Sequence, residues 1–231
     1  MYKKNGYYTF YKIFPYFAII LLLSGCTQKI KNINKTISFA VLGEADINKS
    51  PDYITELPYA SIYARIGKNP QLFMVLAFAE KNHITNLLQL KWVSNDRGML
   101  ITEYGRLVKT INLPEGDLLE VNSDHPDPLS LGLHLDKTPK IWSRKIDWQP
   151  GYHIGYQLNS MFEFDTLQKI NINGTLTSSL KFIETVTVKE INYQYKNIFW
   201  IHPHSGIVIK SQQYIAPSLP LIEITILKPF L

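Results

Sequence analysis

From Tyr59 to Leu227 the chain repeats one pattern, in which short runs of alternating apolar and polar residues are each closed by a turn signal. Period-two alternation places the apolar residues on one face of an extended strand, so the pattern commits most of the chain to β structure. In Tyr59–Ile66, Ala60, Ile62, Ala64 and Ile66 share one face, and Tyr59, Ser61, Tyr63 and Arg65 share the other. Leu72–Ala79 is apolar on both faces, which predicts a central place in a sheet, with Leu87–Val93 as its partner. Turn signals at Asn95–Gly98 and Tyr104–Arg106 flank Met99–Glu103, and Leu107–Ile111 continues the series. After residue 140 come Ile141–Trp148, Tyr152–Phe164, a hairpin signed by Asn173-Gly174, Leu180–Glu190, Tyr193–Ile201, Ile207–Tyr214 and Leu221–Leu227. Within Leu180–Glu190, Phe182, Glu184, Val186 and Val188 alternate against Ile183, Thr185 and Thr187. Pro114–Lys140 is rich in proline and glycine and lacks periodicity, so it reads as a long excursion with at most one helical turn.

About ten to twelve consecutive antiparallel strands form a meander that must curl, because a wide flat sheet exposes its edges and buries too little. The expected fold is all-β: a large antiparallel meander curled into an open or partly closed barrel, with a two-sheet sandwich as the competing arrangement. One or two short helices precede it. Thr36–Leu42 is one candidate, and the second is better signed, with Ser50 to cap, Pro51 at the first helical position and Asp52 in the first turn.

The N-terminus carries a different signal. Lys3, Lys4 and Lys12 precede an apolar run from Ile13 to Leu23, the order of a secretory signal peptide. The run falls well short of the ~20 residues of a membrane-spanning helix. It ends in Leu23-Ser24-Gly25-Cys26, which resembles the lipobox of bacterial lipoproteins. The expected organisation is a signal peptide over residues 1–25, a lipid anchor and polar tether over 26–35, and a single β domain over 36–231. Cys26 is the one cysteine in the chain, so it has no disulfide partner, and acylation with chains such as palmitate supplies a membrane anchor. Thr27 follows it, in place of the aspartate that holds lipoproteins at the inner membrane. The expected location is therefore the periplasmic face of the outer membrane.

The formal net charge is +5, but Lys3, Lys4 and Lys12 belong to the signal, so the remainder is close to neutral and gives no electrostatic case for nucleic acid. His202 and His204 could point to one side of an extended segment, yet His83, His125, His134 and His153 add no ligand spacing, and neither a metal site nor any other cofactor is predicted. No Gly-x-Ser-x-Gly elbow is present. Asp96, Glu103 and Asp147 are more simply read as turn and ion-pair residues than as paired acids, so no catalytic residue is assigned and the chain is not expected to be an enzyme.

One constellation suggests binding. Trp92, Asp96 and Arg97 lie in one segment, and Trp142, Arg144, Asp147, Trp148 and Tyr152 in another. Aromatic faces stack on sugar rings while Arg and Asp bond hydroxyls, which makes this set a candidate polysaccharide-binding site. On Ile141–Trp148, Trp142, Arg144, Ile146 and Trp148 share a face. The alternative reading makes Trp142 and Trp148 core residues and pairs Arg144 with a neighbouring aspartate.

Leu57–Gly67, Lys91–Arg97, Gly105–Thr110, Ile146–Gly151 and Leu219–Pro229 together resemble the YjbF/GfcB family of lipoproteins. The resemblance runs from about residue 36 to 229. It implies a large curled β meander and an accessory role in group 4 capsule or related exopolysaccharide production, and it implies no catalytic residues. His202-Pro203-His204 departs from the family pattern, where an acidic residue is expected. Three functions follow: a binding or scaffolding lipoprotein contacting polysaccharide or export-machinery proteins; a lipid- or lipoprotein-handling open barrel, which requires an apolar cavity; and a polysaccharide-modifying hydrolase or esterase.

Overall fold

Turn chemistry brings consecutive strands side by side in this protein, which we describe over residues 45–230 of a computed structural model. Cys26 and the helix expected at Thr36–Leu42 lie outside the described residues. Ser50 accepts the Tyr53 amide at 3.2 Å and starts α1 (Pro51–Glu56). Twelve strands follow: β1 (Ser61–Ile66), β2 (Leu72–Lys81), β3 (Leu88–Val93), β4 (Met99–Glu103), β5 (Arg106–Ile111), β6 (Asp117–Asn122), β7 (Ile141–Gln149), β8 (His153–Ile172), β9 (Thr175–Val188), β10 (Tyr193–Ile201), β11 (Val208–Tyr214) and β12 (Leu221–Lys228). Asn173 and Gly174 both take positive φ, 47° and 90°, the two-residue geometry that suits the twist of the long β8–β9 hairpin.

All the strands join one sheet in the order β5-β4-β3-β2-β1-β12-β11-β10-β9-β8-β7-β6. Every pairing is antiparallel, and the first and last strands meet through Ser61–Ile66 and Ile222–Lys228. The sheet is therefore a meander curled into a nearly closed barrel, not a sandwich. Its two edges, β5 and β6, are consecutive in the chain and lie against one another without a backbone ladder. Side chains complete the seam. Asp117 accepts from Thr110 Oγ1 at 2.8 Å and from the amides of Asn112 and Leu113 at 3.0 and 3.2 Å, while the Leu118 amide donates to Thr110 Oγ1 at 3.0 Å.

Three expectations change. The Pro114–Lys140 excursion contains β6, hidden in sequence because a bulge between Leu118 and Glu120 breaks the alternation. Leu72–Ala79 takes the expected place inside the sheet, with β3 as its partner, but is not covered along its whole length: β2 pairs with β1 only from Leu72 to Val75, and from Ala77 onward it projects past that neighbour and is exposed. β1, expected to be half-buried, is covered on its outer face as well. Residues 46–49 run over it, with the Tyr63 hydroxyl taking the Lys49 amide at 2.5 Å and Arg65 Nη2 reaching Asp46 Oδ2 at 2.5 Å.

An antiparallel meander sorts its links between two ends. Links after odd-numbered strands, including 94–98, 112–116 and 150–152, lie at one end; those after even-numbered strands, including 104–105, 123–140, 173–174 and 202–207, lie at the other. Inside, the larger apolar cluster contains Ile62, Met74, Trp92, Leu100, Leu118, Ile146, Trp148, Leu158 and Val186. A second cluster joins Leu129, Leu133, Trp142, Phe162, Phe182, Phe199, Ile201 and Val208.

Candidate functional site

The inward phase of β7 and β9 is apolar except for one charged residue on each strand. Arg144 sits between Trp142 and Ile146, and Glu184 between Phe182 and Val186. Glu184 is 0% exposed, and such burial is tolerable only if its charge is paired and its oxygens are filled. Both conditions are met. Oε1 accepts from Ser160 Oγ at 2.6 Å and Arg144 Nη1 at 3.2 Å; Oε2 accepts from Arg106 Nη1 and Asn197 Nδ2, each at 2.8 Å. Arg106 also donates from Nε to Asp127 Oδ2 at 2.5 Å, which draws the 123–140 excursion onto the barrel. Two guanidinium groups and two carboxylates form a neutral layer that links β5, β7, β8, β9 and β10.

Aromatic rings enclose it. The guanidinium carbons of Arg106 and Arg144 lie 4.8 and 4.5 Å from the Trp142 ring centre, and Arg106 is 5.0 Å from that of Phe199. Burial pushes the Glu184 carboxyl upward, but the charges of Arg106 and Arg144, with the bonds from Arg106 and Ser160, outweigh it and hold the group down to about 2. Burial likewise works against Arg106, and Asp127 and Glu184 reverse it, so the guanidinium stays firmly charged. A carboxylate this acidic, with its lone pairs occupied and no solvent contact, is a poor general acid or base. The layer ties strands together.

The eight residues singled out as a possible sugar-binding set do not share a surface. Trp92, Trp142, Arg144 and Trp148 are buried. Trp92 Nε1 donates to Thr102 Oγ1 at 3.0 Å, Trp142 Nε1 donates to the His125 carbonyl at 3.0 Å, and Trp148 lies flat on His153 with ring centres 4.2 Å apart. Asp147 accepts the Gly155 amide at 2.7 Å. Asp96 accepts from Ser94 Oγ and the Gly98 amide within the β3–β4 turn, where Arg97 is exposed with φ of 67°. Tyr152 is 94% exposed in the β7–β8 turn. Asp96, Arg97 and Tyr152 thus share the end of the barrel that carries the links after odd-numbered strands.

His202 and His204 have ring centres 5.9 Å apart, and His202 Nδ1 is 3.1 Å from Ser205 Oγ. Among the described residues no three metal-ligating side chains gather. The Arg106–Asp127–Glu184 association was missed in sequence because its members are far apart in the chain. The available signal was a glutamate and an arginine in the inward phase of two strands.

The opposite end of the barrel holds a cavity of about 350 Å³. Leu88, Leu90 and Trp92 of β3, Val208 of β11, and Ile224 and Ile226 of β12 form much of its wall. Leu129, Gly132, Ser205 and Gly206 from two loops partly close it. Those loops touch intimately: a Cβ on Gly206 would lie 2.3 Å from His134 Cε1. Leu88, Tyr104, Ile207 and Phe230 remain exposed around the mouth.

Residues 34–227 match the family model described as "Group 4 capsule polysaccharide lipoprotein gfcB, YjbF". The chain is 33% identical over 210 residues to the uncharacterized lipoprotein GfcB of Escherichia coli (strain K12), covering 90% of this chain and 94% of that protein. It is 30% identical over 211 residues to the uncharacterized lipoprotein YjbF of the same organism, covering 91% and 94%. The crystal structure of the hypothetical lipoprotein YmcC from Escherichia coli (K12) has the same fold, with a TM-score of 0.70, 33% identity, and coverage of 79% of this chain and 90% of that one. The names of these relatives carry no enzymatic activity. With most of its length matched by that model and by relatives at this identity, the chain belongs to the YjbF family of group 4 capsule polysaccharide lipoproteins.

Proposed function

We propose that the protein is a non-catalytic accessory of capsule or exopolysaccharide export, acylated at Cys26 and held at the periplasmic face of the outer membrane. The observation that carries this reading is the match of residues 34–227 to a capsule-associated lipoprotein family, joined to a lipobox at Leu23–Cys26. The fully bonded Glu184 layer supports a binding or scaffolding role, since this most perturbed carboxylate serves as a structural tie. Of the aromatic and charged set, Asp96, Arg97 and Tyr152 are solvent-facing and lie at one barrel end, so we assign contact with polymer or export proteins to that end.

Affinity capture from crosslinked, polymer-producing cells tests this reading. Wild type should recover polymer or export proteins, and Arg97→Ala with Tyr152→Ala should recover less at equal expression. An empty eluate from correctly acylated wild type overturns it. Growth with labelled palmitate should label wild type and leave Cys26→Ala unlabelled.

A further inference from the structure

We propose that the cavity at the end carrying the links after even-numbered strands binds a single acyl chain of a lipid. Its volume of about 350 Å³ lies at the lower end of the roughly 300–1,000 Å³ of ligand pockets. At ~30 Å³ for a water-sized group, it has room for roughly a dozen methylenes and not for two chains side by side.

The wall selects for such a tail. Aliphatic side chains from β3, β11 and β12 dominate it, and the hydroxyl oxygens of its serines and threonine each have a hydrogen-bond partner. Thr102 Oγ1 accepts from Trp92, Ser130 Oγ donates to the Asp127 carbonyl, and Ser211 Oγ accepts from Gln213 Nε2. Lys210 borders the cavity, but its ammonium is held by Glu223 at 3.3 Å and lies 5.5 Å from the Trp200 ring centre. A sugar placed here would leave most of its hydroxyls without partners, a cost an alkyl chain does not incur.

The mouth fits the same occupant. Four apolar residues, Leu88, Tyr104, Ile207 and Phe230, are exposed around one opening, the kind of patch that marks a binding site. Beside it a second cavity of about 430 Å³ lies between α1 and the tip of the β8–β9 hairpin, and Ser205, Ile207, Ile226 and Pro229 line both. That groove leaves room for a headgroup or a second chain outside the barrel. Membership of a lipoprotein family places the protein beside a source of acyl chains.

The test uses the full chain carrying Cys26→Ala, which removes its own acyl groups, purified without detergent and titrated with the fluorescent fatty acid cis-parinaric acid. The result expected is saturable binding at one probe per chain, displaced by palmitate. Displacement by lysophosphatidylcholine as well would identify the chain itself as the ligand, whatever its headgroup; displacement by palmitate alone would identify the free acid. Ile226→Trp, which fills the cavity, and Leu88→Trp, which obstructs its exposed rim without touching the buried core, should each weaken binding about tenfold or more, equivalent to ~1.4 kcal/mol. Thermal melting of each variant verifies folding. Absence of saturable binding to the folded wild type, or undiminished binding by folded Leu88→Trp, would overturn the proposal. No polymer enters this assay, so its outcome is independent of the export role.

Discussion

Arg106, the first residue of β5, places Nη1 2.8 Å from Glu184 Oε2 in the middle of β9, joining strands far apart in the order of the sheet. β5 is one edge of the sheet, so this contact ties an otherwise loose margin to the interior of the barrel.

Glu184→Gln preserves shape while leaving two buried guanidinium groups opposed by Asp127 alone. Removing one partner of a buried ion pair costs about 3–5 kcal/mol because the remaining charge is uncompensated. The variant should unfold at a correspondingly lower urea concentration. A midpoint within error of wild type would mean that the layer contributes little.

The same residue sets an acid limit. Its folded value of about 2 lies below the ordinary 4.5, so the unfolded chain binds the proton more readily. The stability contributed by ionised Glu184 is present above about pH 4.5 and is lost as the pH falls towards 2. Urea midpoints should drop between pH 5 and pH 3 in wild type, and drop less in Glu184→Gln.

The seam between β5 and β6 depends on Asp117. Asp117→Ala removes an acceptor shared by Thr110 Oγ1 and the amides of Asn112 and Leu113. Unpaired buried donors cost about 1–3 kcal/mol each. Hydrogen exchange should accelerate at Asn112, Leu113 and Leu118 before it does on β9, which is paired along its length on both sides and joins β10 in an unbroken ladder.

Gly105 has φ of 87°, and an added Cβ would lie 2.4 Å from that of Val208. Gly105→Ala should therefore destabilise by about 1–3 kcal/mol through overpacking, with strained backbone adding to it. Thermal melting measures this, and Tyr104→Ala, at a neighbouring but exposed position, is the comparison.

Alternation in the sequence reports which way a side chain points, and it did so faithfully for β7 and β9, where Trp142, Arg144, Ile146 and Trp148, and Phe182, Glu184, Val186 and Val188, all face inward. It fails at bulges. One between Leu118 and Glu120 concealed β6, and another between Leu76 and Phe78 shifts the phase of β2. The partners of Glu184 were illegible for a different reason, since Arg106, Arg144 and Asn197 reach it only once the sheet has curled. The tryptophans that suggested a sugar platform show the converse: closeness in sequence on an inward-facing strand delivers them to the core.

The role proposed for this barrel is in polysaccharide export, exercised from a membrane anchor. The direct measurement is surface polysaccharide from a strain lacking the protein, complemented with wild type or Cys26→Ala under inducing conditions. Exported polymer should be lost without the protein and restored by wild type but not by Cys26→Ala. Normal export from the strain lacking the protein would contradict it.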